Sequence, residues 1–385
     1  MTNFIFNTTK SIVSQAGACA RMAEIAGPVL GKRVVLVTDK GVRSLGLADP
    51  ALASLSAAGI EVAVFDDVAA DPPEHNILAL VDFVRAHKAT GILAIGGGSP
   101  MDVAKVAALL AESGESLSDV YGVNVAKGPR LPLVLVPTTA GTGSEVTPIA
   151  IITTGDAEKK GVVSPLLLPD IAILDAELTI GLPPAVTAAT GIDAMVHAIE
   201  SYASASANNN PISRGLARQA LRLLGGNIRE AVFNGQNRDA RGAMLLGSLL
   251  AGQAFANSPV AAVHALAYPI GGHFHIPHGL SNALVLAHVL RFNLSHASEV
   301  YAEIAADAFP ELAGLPAETR AAAFIEALSE LGRELQIPQR LRDVGIPRDA
   351  LEMMARDAMK QTRLLINNPR ELTEADALAI YEAAY

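Results

Sequence analysis

A single cysteine, Cys19, stands among 385 residues. One thiol permits no internal disulfide, which suits a reducing compartment, and with no nucleophile signature around it the residue reads as buried filler. No apolar run reaches the roughly 18 residues of a membrane span. The N-terminal segment, Met1-Thr-Asn-Phe-Ile-Phe-Asn-Thr-Thr-Lys10, lacks the basic start and long apolar stretch of a secretory signal, so a cytoplasmic protein is expected. Positive charge is scarce: 29 Lys and Arg stand against 39 Asp and Glu, a net charge of −10. With no basic or aromatic-interleaved stripe, a nucleic-acid partner is excluded. Repeats with a period of roughly 20 to 50 residues are also missing. What is present is globular: 50% of residues are hydrophobic and 18% charged, and the chain is longer than one core usually supports. Two domains are expected.

The first half alternates. Arg33-Val-Val-Leu-Val-Thr-Asp39 reads as a buried strand ending in an acid, Ile60–Phe65 as a second, 74–88 as a helix and Gly91–Ile95 as a third strand. Strands alternating with helices imply a parallel sheet covered on both faces. Directly after the third strand comes Gly96-Gly-Gly-Ser-Pro-Met-Asp-Val-Ala-Lys105 and an apolar helix. Glycines at a helix N-terminus let backbone N–H groups approach a pyrophosphate, although a tight turn with Asp102 complementing the helix dipole has the same look. A further strand, Leu131–Val136, ends in Pro137-Thr-Thr-Ala-Gly-Thr-Gly-Ser-Glu145, and such strand ends suit ligand contact in an open α/β sheet. Two neighbouring loops of this kind point to one nucleotide lying across both. Asp39 can accept hydrogen bonds from a ribose and repel a 2′-phosphate, which favours NAD over NADP; a strand-end Asp beginning a turn is the plainer reading.

From about Pro183 strand signals almost vanish, and the chain reads as helical with breaks at Asn208–Pro211, Gly225-Gly226, Asn257–Pro259 and Gly271-Gly272. Thr373-Glu-Ala-Asp376 reads as the cap of a last helix. Within Gly191-Ile-Asp-Ala-Met-Val-His-Ala-Ile-Glu200, Asp193 and His197 stand at i and i+4, on one face of a helix. His264 lies on an apolar run that Pro269 and Gly271-Gly272 are expected to end, and His278 opens a new segment after Pro277. A chain folding back there would put one histidine on each arm. Three imidazoles and one carboxylate suit Zn²⁺ or Fe²⁺ better than Ca²⁺ or Mg²⁺. Hydrogen-bonded core histidines and a capping Asp are the bland alternative.

Together, Gly96–Lys105, Pro137–Glu145, Leu182-Pro-Pro-Ala-Val-Thr-Ala-Ala-Thr-Gly-Ile-Asp-Ala-Met-Val-His-Ala-Ile-Glu200, His264 with Pro-His-Gly279, and Asn368-Pro-Arg370 closely resemble the iron-containing (group III) alcohol dehydrogenases. The resemblance runs in order through most of the chain. It implies a Rossmann-like dinucleotide-binding α/β domain, 1–181, an all-α metal-binding domain of the dehydroquinate synthase-like fold, 182–385, and a cleft between them. It also implies a homodimer. The implied metal ligands are Asp193, His197, His264 and His278, with Fe²⁺ the first expectation and Zn²⁺ the alternative. On the nucleotide side the matching positions are Asp39, Gly97, Gly98, Ser99, Asp102, Thr138, Thr139, Thr142 and Ser144, with Lys159 near the ribose, Lys160 as its neighbour and rival, and Leu178 on the cofactor wall. Two positions depart from the family pattern. Tyr268 stands where many members have a further His, leaving a phenol that can donate a hydrogen bond where they have an imidazole to relay protons, a half-buried helix aromatic being the plainer reading, and Asp71 stands where many have Asn. His273 and His275 receive no role.

The implied activity is NAD-dependent interconversion of a small primary alcohol or diol and its aldehyde, a divalent ion stabilising the alkoxide and hydride passing to the nicotinamide. Maleylacetate reduction and hydroxyacid dehydrogenation or transhydrogenation are alternatives within the family. Charged substrates need cationic anchors, and the segments flanking the ligands hold few, Arg291 being an exception. A dehydroquinate synthase-like lyase would need several converging basic residues, which are not seen near the metal motifs. A nucleotide-binding protein without turnover, its histidines structural, is the remaining class.

Overall fold

The computed structural model describes residues 3–155 and 158–385, with Glu158 by its backbone alone; the first two residues of the N-terminal segment lie outside it. The chain divides into two units, Asn7–Ile180 and Gly181–Tyr385, the latter joined by the residues up to Phe6.

In the first unit the strands are β1 (Ser11–Ser14), β2 (Arg33–Val37), β3 (Glu61–Phe65), β4 (Gly91–Gly96), β5 (Gly122–Val123), β6 (Leu133–Pro137), β7 (Ile149–Thr154), β8 (Glu158–Val163) and β9 (Ile171–Leu174). Six form a wholly parallel sheet in the order β1-β9-β6-β4-β2-β3. The helices are α1 (Met22–Leu30), α2 (Lys40–Ser44), α3 (Asp49–Ala57), α4 (Glu74–Ala86) and α5 (Gly98–Ser113). Every residue of β4 and β6 is buried, as expected of central strands covered on both faces. One apolar cluster joins Ile92, Leu133 and Leu135 to Leu80, Val84, Ala104 and Leu109; the opposite one joins Leu93, Val134 and Val136 to Met22, Ala26 and Leu55. The two faces of each strand therefore serve two layers of helix.

The strand order reverses beside β2. The chain runs from β2 to β3 on one side and returns with β4 on the other, so β2 and β4 meet at a topological switch point, where open α/β sheets bind ligands beyond the carboxyl ends of their strands. The register places Val37 opposite Ala94 and Gly96 opposite Pro137. Thr38 ties the ends together by donating its hydroxyl to the carbonyl of Ile95 at 2.7 Å. Antiparallel β7 and β8, with β5, form a small second sheet. β2, β3, β4 and β6 are the four strands expected from the sequence, whereas β1, β9 and this second sheet have no counterpart there.

The second unit is helical: α6 (Pro184–Ala203), α7 (Pro211–Phe233), α8 (Arg238–Asn257), α9 (Ala262–Phe274), α10 (His278–Ala308), α11 (Ala317–Glu334), α12 (Leu351–Ala358), α13 (Thr362–Leu365) and α14 (Glu374–Ala383). Two expected breaks do not occur. α7 runs through Gly225-Gly226, because a Cβ on Gly225 would stand 2.2 Å from the carbonyl oxygen of Ala308, so this glycine permits close helix contact. α9 continues through Pro269 and Gly271-Gly272 to Phe274 and ends with His275 in the left-handed region at φ 54°. Buried Leu266, Pro269 and Ile270 hold it, packing that outweighs the weak helix propensity of Pro and Gly. The last helix has the expected capping box, with Thr373 and Asp376 each satisfying the other's backbone N–H.

Candidate metal centre and nucleotide loops

Helix α6 presents Asp193, His197 and Glu200 seven residues apart from first to last, on one buried face. It can approach α7 and α8 closely because position 191 is glycine: a Cβ there would meet Ile228 Cδ1 at 2.7 Å and Met244 Cε at 2.8 Å. His264 comes from the first turn of α9, and His278 begins α10 directly after Pro277. One ligand atom from each of Asp193, His197, His264 and His278 lies within 4.8 Å of the other three. The rings of His197 and His264 stack at 4.8 Å between centroids, and Phe255 stacks on the other face of His197 at 4.4 Å. The first three of these residues are buried, while His278 is exposed.

The donor set fits a divalent cation. Burial pushes the Asp193 carboxyl up, but the imidazoles of His197, His278 and His264 and the Asn282 amide outweigh it, leaving a net downward shift toward the carboxylate. His264 has Nδ1 2.6 Å from Glu200, which turns Nε2 toward the cluster. Asn282, one turn after His278, donates Nδ2 to Asp193 Oδ1 at 2.6 Å and stands 3.3 Å from Nε2 of both His264 and His278. Its own Oδ1 is buried without a hydrogen-bond partner. An amide that leaves its oxygen orphaned, a cost of about 1–3 kcal/mol, to aim its positive end at a carboxylate and two ring nitrogens marks an electron-rich point. Glu200, Asn282 and Phe255 carry no role in the sequence reading. Glu200 follows His197 by three residues and Asn282 follows His278 by four, but only their hydrogen bonds to His264 and Asp193 give them a role.

Tyr268 lies one turn after His264, half-buried, its ring centroid 6.1 Å from that of His278. His273 pairs instead with Asp357 at 2.6 Å, and His275 is the C-cap of α9; both stand outside the four-residue cluster. Arg291 is engaged by Glu326 at 2.7 Å. The buried guanidinium of Arg241 is spent on Thr187, Leu182 and Gly235.

In the sheet unit, Asp39 follows β2 and caps α2, accepting from Val42 N at 2.9 Å. Gly97 is the N-cap of α5 and offers no side-chain cap, leaving first-turn N–H groups for an anion. Gly98 is packed, since a Cβ there would stand 3.1 Å from Thr142 Cγ2. Ser99 is half-buried in the same turn, and Thr138 and Thr139 follow the adjacent β6. Asp102 and Ser144 hold each other at 2.6 Å; Asp102 also accepts from Ile151 N at 3.0 Å. Beneath them buried Lys105 donates to Ser144, Thr147 and the Ile149 carbonyl, at 2.7, 3.1 and 2.8 Å. This network braces the 138–149 loop against α5. Lys159 donates to Asp71 at 2.6 Å and to Thr153 at 2.9 Å, whereas Lys160, on the other face of β8, lies over the Tyr121 ring. Leu178 is buried beyond β9. Cys19 is buried as well, its thiol pushed up by burial and Asp175, which leaves it unsuited to nucleophilic work.

A switch-point sheet with glycine-bearing strand ends is the kind of place that takes a nucleotide, and a cluster of three histidines and one carboxylate is the kind that takes a divalent cation. Comparison with known proteins narrows the class. Residues 9–176 match the family model "Iron-containing alcohol dehydrogenase", and residues 187–385 match "Fe-containing alcohol dehydrogenase family, C-terminal". The chain is 42% identical over 361 residues to long-chain-alcohol dehydrogenase 1 of Geobacillus thermodenitrificans (strain NG80-2), covering 92% of this chain and 90% of that one. A crystal structure of 1,3-propanediol oxidoreductase superposes with a TM-score of 0.95 at 38% identity, covering all of both chains. Sulfoacetaldehyde reductase from Bifidobacterium kashiwanohense, solved with NAD⁺, gives 0.87 at 28% identity over 100% of this chain and 99% of that one. The protein belongs to the iron-containing alcohol dehydrogenase family and is an oxidoreductase acting on CH–OH groups. Membership implies a metal ion and a nicotinamide cofactor.

Proposed function

We propose that this protein interconverts a small primary alcohol or diol and its aldehyde with NAD, one divalent ion being held by Asp193, His197, His264 and His278. The observation that carries the reading is the convergence of those four ligand atoms within 4.8 Å around a point that an amide N–H already seeks. When bound, a divalent ion supplies Lewis acidity that makes an alcohol easier to deprotonate. Fe²⁺ is the first choice and Zn²⁺ the second, because three imidazoles and one carboxylate serve both.

The chain's own residues supply the rest. Asp193 offsets part of the ion's charge, and the stacked Phe255–His197–His264 rings hold two ligands in place and limit water on that side. Tyr268 has the phenol through which a proton or hydrogen bond reaches the substrate oxygen. At the sheet, the uncapped start of α5 and the Thr138–Ser144 loop receive the pyrophosphate, Asp39 takes the ribose and Leu178 lines the cofactor wall. Lys159 reaches the ribose side with its charge offset by Asp71, the residue that departs from the family pattern. A homodimer in a reducing compartment belongs to the same reading.

Uncharged substrates are favoured because Arg291 and Arg241 are committed to partners in the helical unit. The likeness to a sulfoacetaldehyde reductase supports a second reading, an anionic aldehyde or hydroxy acid. A panel of short alcohols, diols, hydroxy acids and a hydroxyalkyl sulfonate, followed by nicotinamide absorbance, separates them. Higher kcat/KM with neutral alcohols supports the first; a clear preference for the anions overturns it.

A further inference from the structure

Glu200 is buried on α6, three residues after His197, and both its oxygens are used. Oε1 accepts the backbone N–H of Val263 at 2.6 Å, and Oε2 faces Nδ1 of the next residue, His264, at 2.6 Å. We infer that Glu200 is the positioning residue of the metal centre: it fixes the tautomer and ring orientation of His264 and thereby sets the affinity for the ion. The inference rests on the reading of the four-residue cluster as a metal site.

The chemistry follows from counting donors and acceptors. A carboxylate only accepts, so His264 must place its hydrogen on Nδ1, leaving a lone pair on Nε2. That nitrogen is the one turned toward the cluster, 3.3 Å from the Asn282 amide. A hydrogen-bonded carboxylate behind a ligand imidazole also raises its basicity, and losing such a partner usually lowers metal affinity about 10–100-fold. The second bond makes the arrangement rigid: with Val263 N tethered to the same carboxylate, the start of α9 and the ring of His264 are located from α6, the helix that carries Asp193 and His197. Glutamine cannot reproduce this. Its single oxygen satisfies either Val263 N–H or the His264 Nδ1–H, and its NH₂ then opposes a donor or forces the hydrogen onto Nε2, where it blocks the lone pair.

The test is a double-mutant cycle read by metal affinity. Wild type, E200Q, H264A and E200Q/H264A are stripped, and Zn²⁺ and Co²⁺ dissociation constants are measured by chelator competition, with thermal unfolding of the metal-free proteins alongside. E200Q is expected to weaken binding about 10–100-fold in the wild-type background and less than about twofold when His264 is already gone. Equal losses in both backgrounds, or none in either, would overturn the inference. If E200Q does not fold, E200D, which keeps the charge on an arm too short to hold both 2.6 Å contacts, takes its place in the same cycle: it is expected to weaken binding when His264 is present and not when His264 is gone, and an affinity equal to wild type counts against the role. A wild type that binds neither ion at all removes the metal reading itself, an outcome distinct from a wild type that binds and an E200Q that binds equally.

Discussion

Gly279 lies so close to helix α6 that a Cβ built on it would stand 2.5 Å from the carbonyl oxygen of Ala189 and 3.3 Å from Cβ of Asp193. The backbone at the start of α10 therefore rests directly on the backbone of α6, which brings the neighbouring His278 to 3.7 Å from Asp193. Gly279→Ala must push the two helices apart. Overpacking of this kind costs about 1–3 kcal/mol. We expect a lower melting temperature of the metal-free protein and weaker metal retention together, checked by calorimetry and metal analysis; wild-type values of both would contradict the contact.

His264→Ala removes the ring that joins Glu200 to the cluster. It is expected to cost the purified protein its metal and its activity, with only the weaker binding of Asp193, His197 and His278 left to measure at added Zn²⁺ or Co²⁺, while leaving the helical circular dichroism of the protein intact. Full activity in a metal-free variant would reject the assignment of His264.

Asp39→Asn keeps an oxygen for the Val42 N–H and removes only the charge that would face a 2′-phosphate. The ratio of kcat/KM with NADP to that with NAD should rise roughly tenfold, a change of about 1.4 kcal/mol. An unchanged ratio, or a wild type equally efficient with both cofactors, would remove Asp39 from cofactor selection.

Asp170 links β6 and β9. Burial pushes its carboxyl up, but Arg130 at 2.7 Å, Lys10 at 2.6 Å and the backbone N–H of Leu133 outweigh it, and the net value falls to about 2. Because the folded value lies below the unfolded one, the stabilisation is present above the unfolded value, near pH ~4, and is lost as pH falls through about 2. With solvent screening it amounts to roughly 1 kcal/mol. Asp170→Asn should lower stability to urea at pH 7 and flatten its dependence between pH ~4 and ~2; a profile parallel to wild type would contradict this.

The elements around the switch point are legible because β2, β4 and β6 are short, mostly apolar runs bounded by turn residues, too short for a helix and suited to strands buried on both faces. β1 and β9 escape because each is only four residues long, and β1, Ser11-Ile-Val-Ser14, is largely exposed. α7 and α9 read as broken because Gly and Pro weaken an isolated helix, whereas here Gly225 serves contact with Ala308 and buried packing carries α9 past Pro269. Asp193 and His197 announce themselves by their i, i+4 spacing. Glu200 and Asn282 do not, since a carboxylate or amide behind the ligands is recognised only when its hydrogen bonds are seen.

The central claim, that Asp193, His197, His264 and His278 hold the working ion of an NAD-linked dehydrogenase, is tested most directly by stripping the purified protein and refilling it separately with Fe²⁺ and Zn²⁺. Metal per chain and NADH formation from a short diol are then followed on the same samples. The prediction is one ion per chain, with NADH formation absent in stripped protein and restored in proportion to the ion bound. Stripped protein that turns over at the full rate, or protein that binds neither ion, would contradict it.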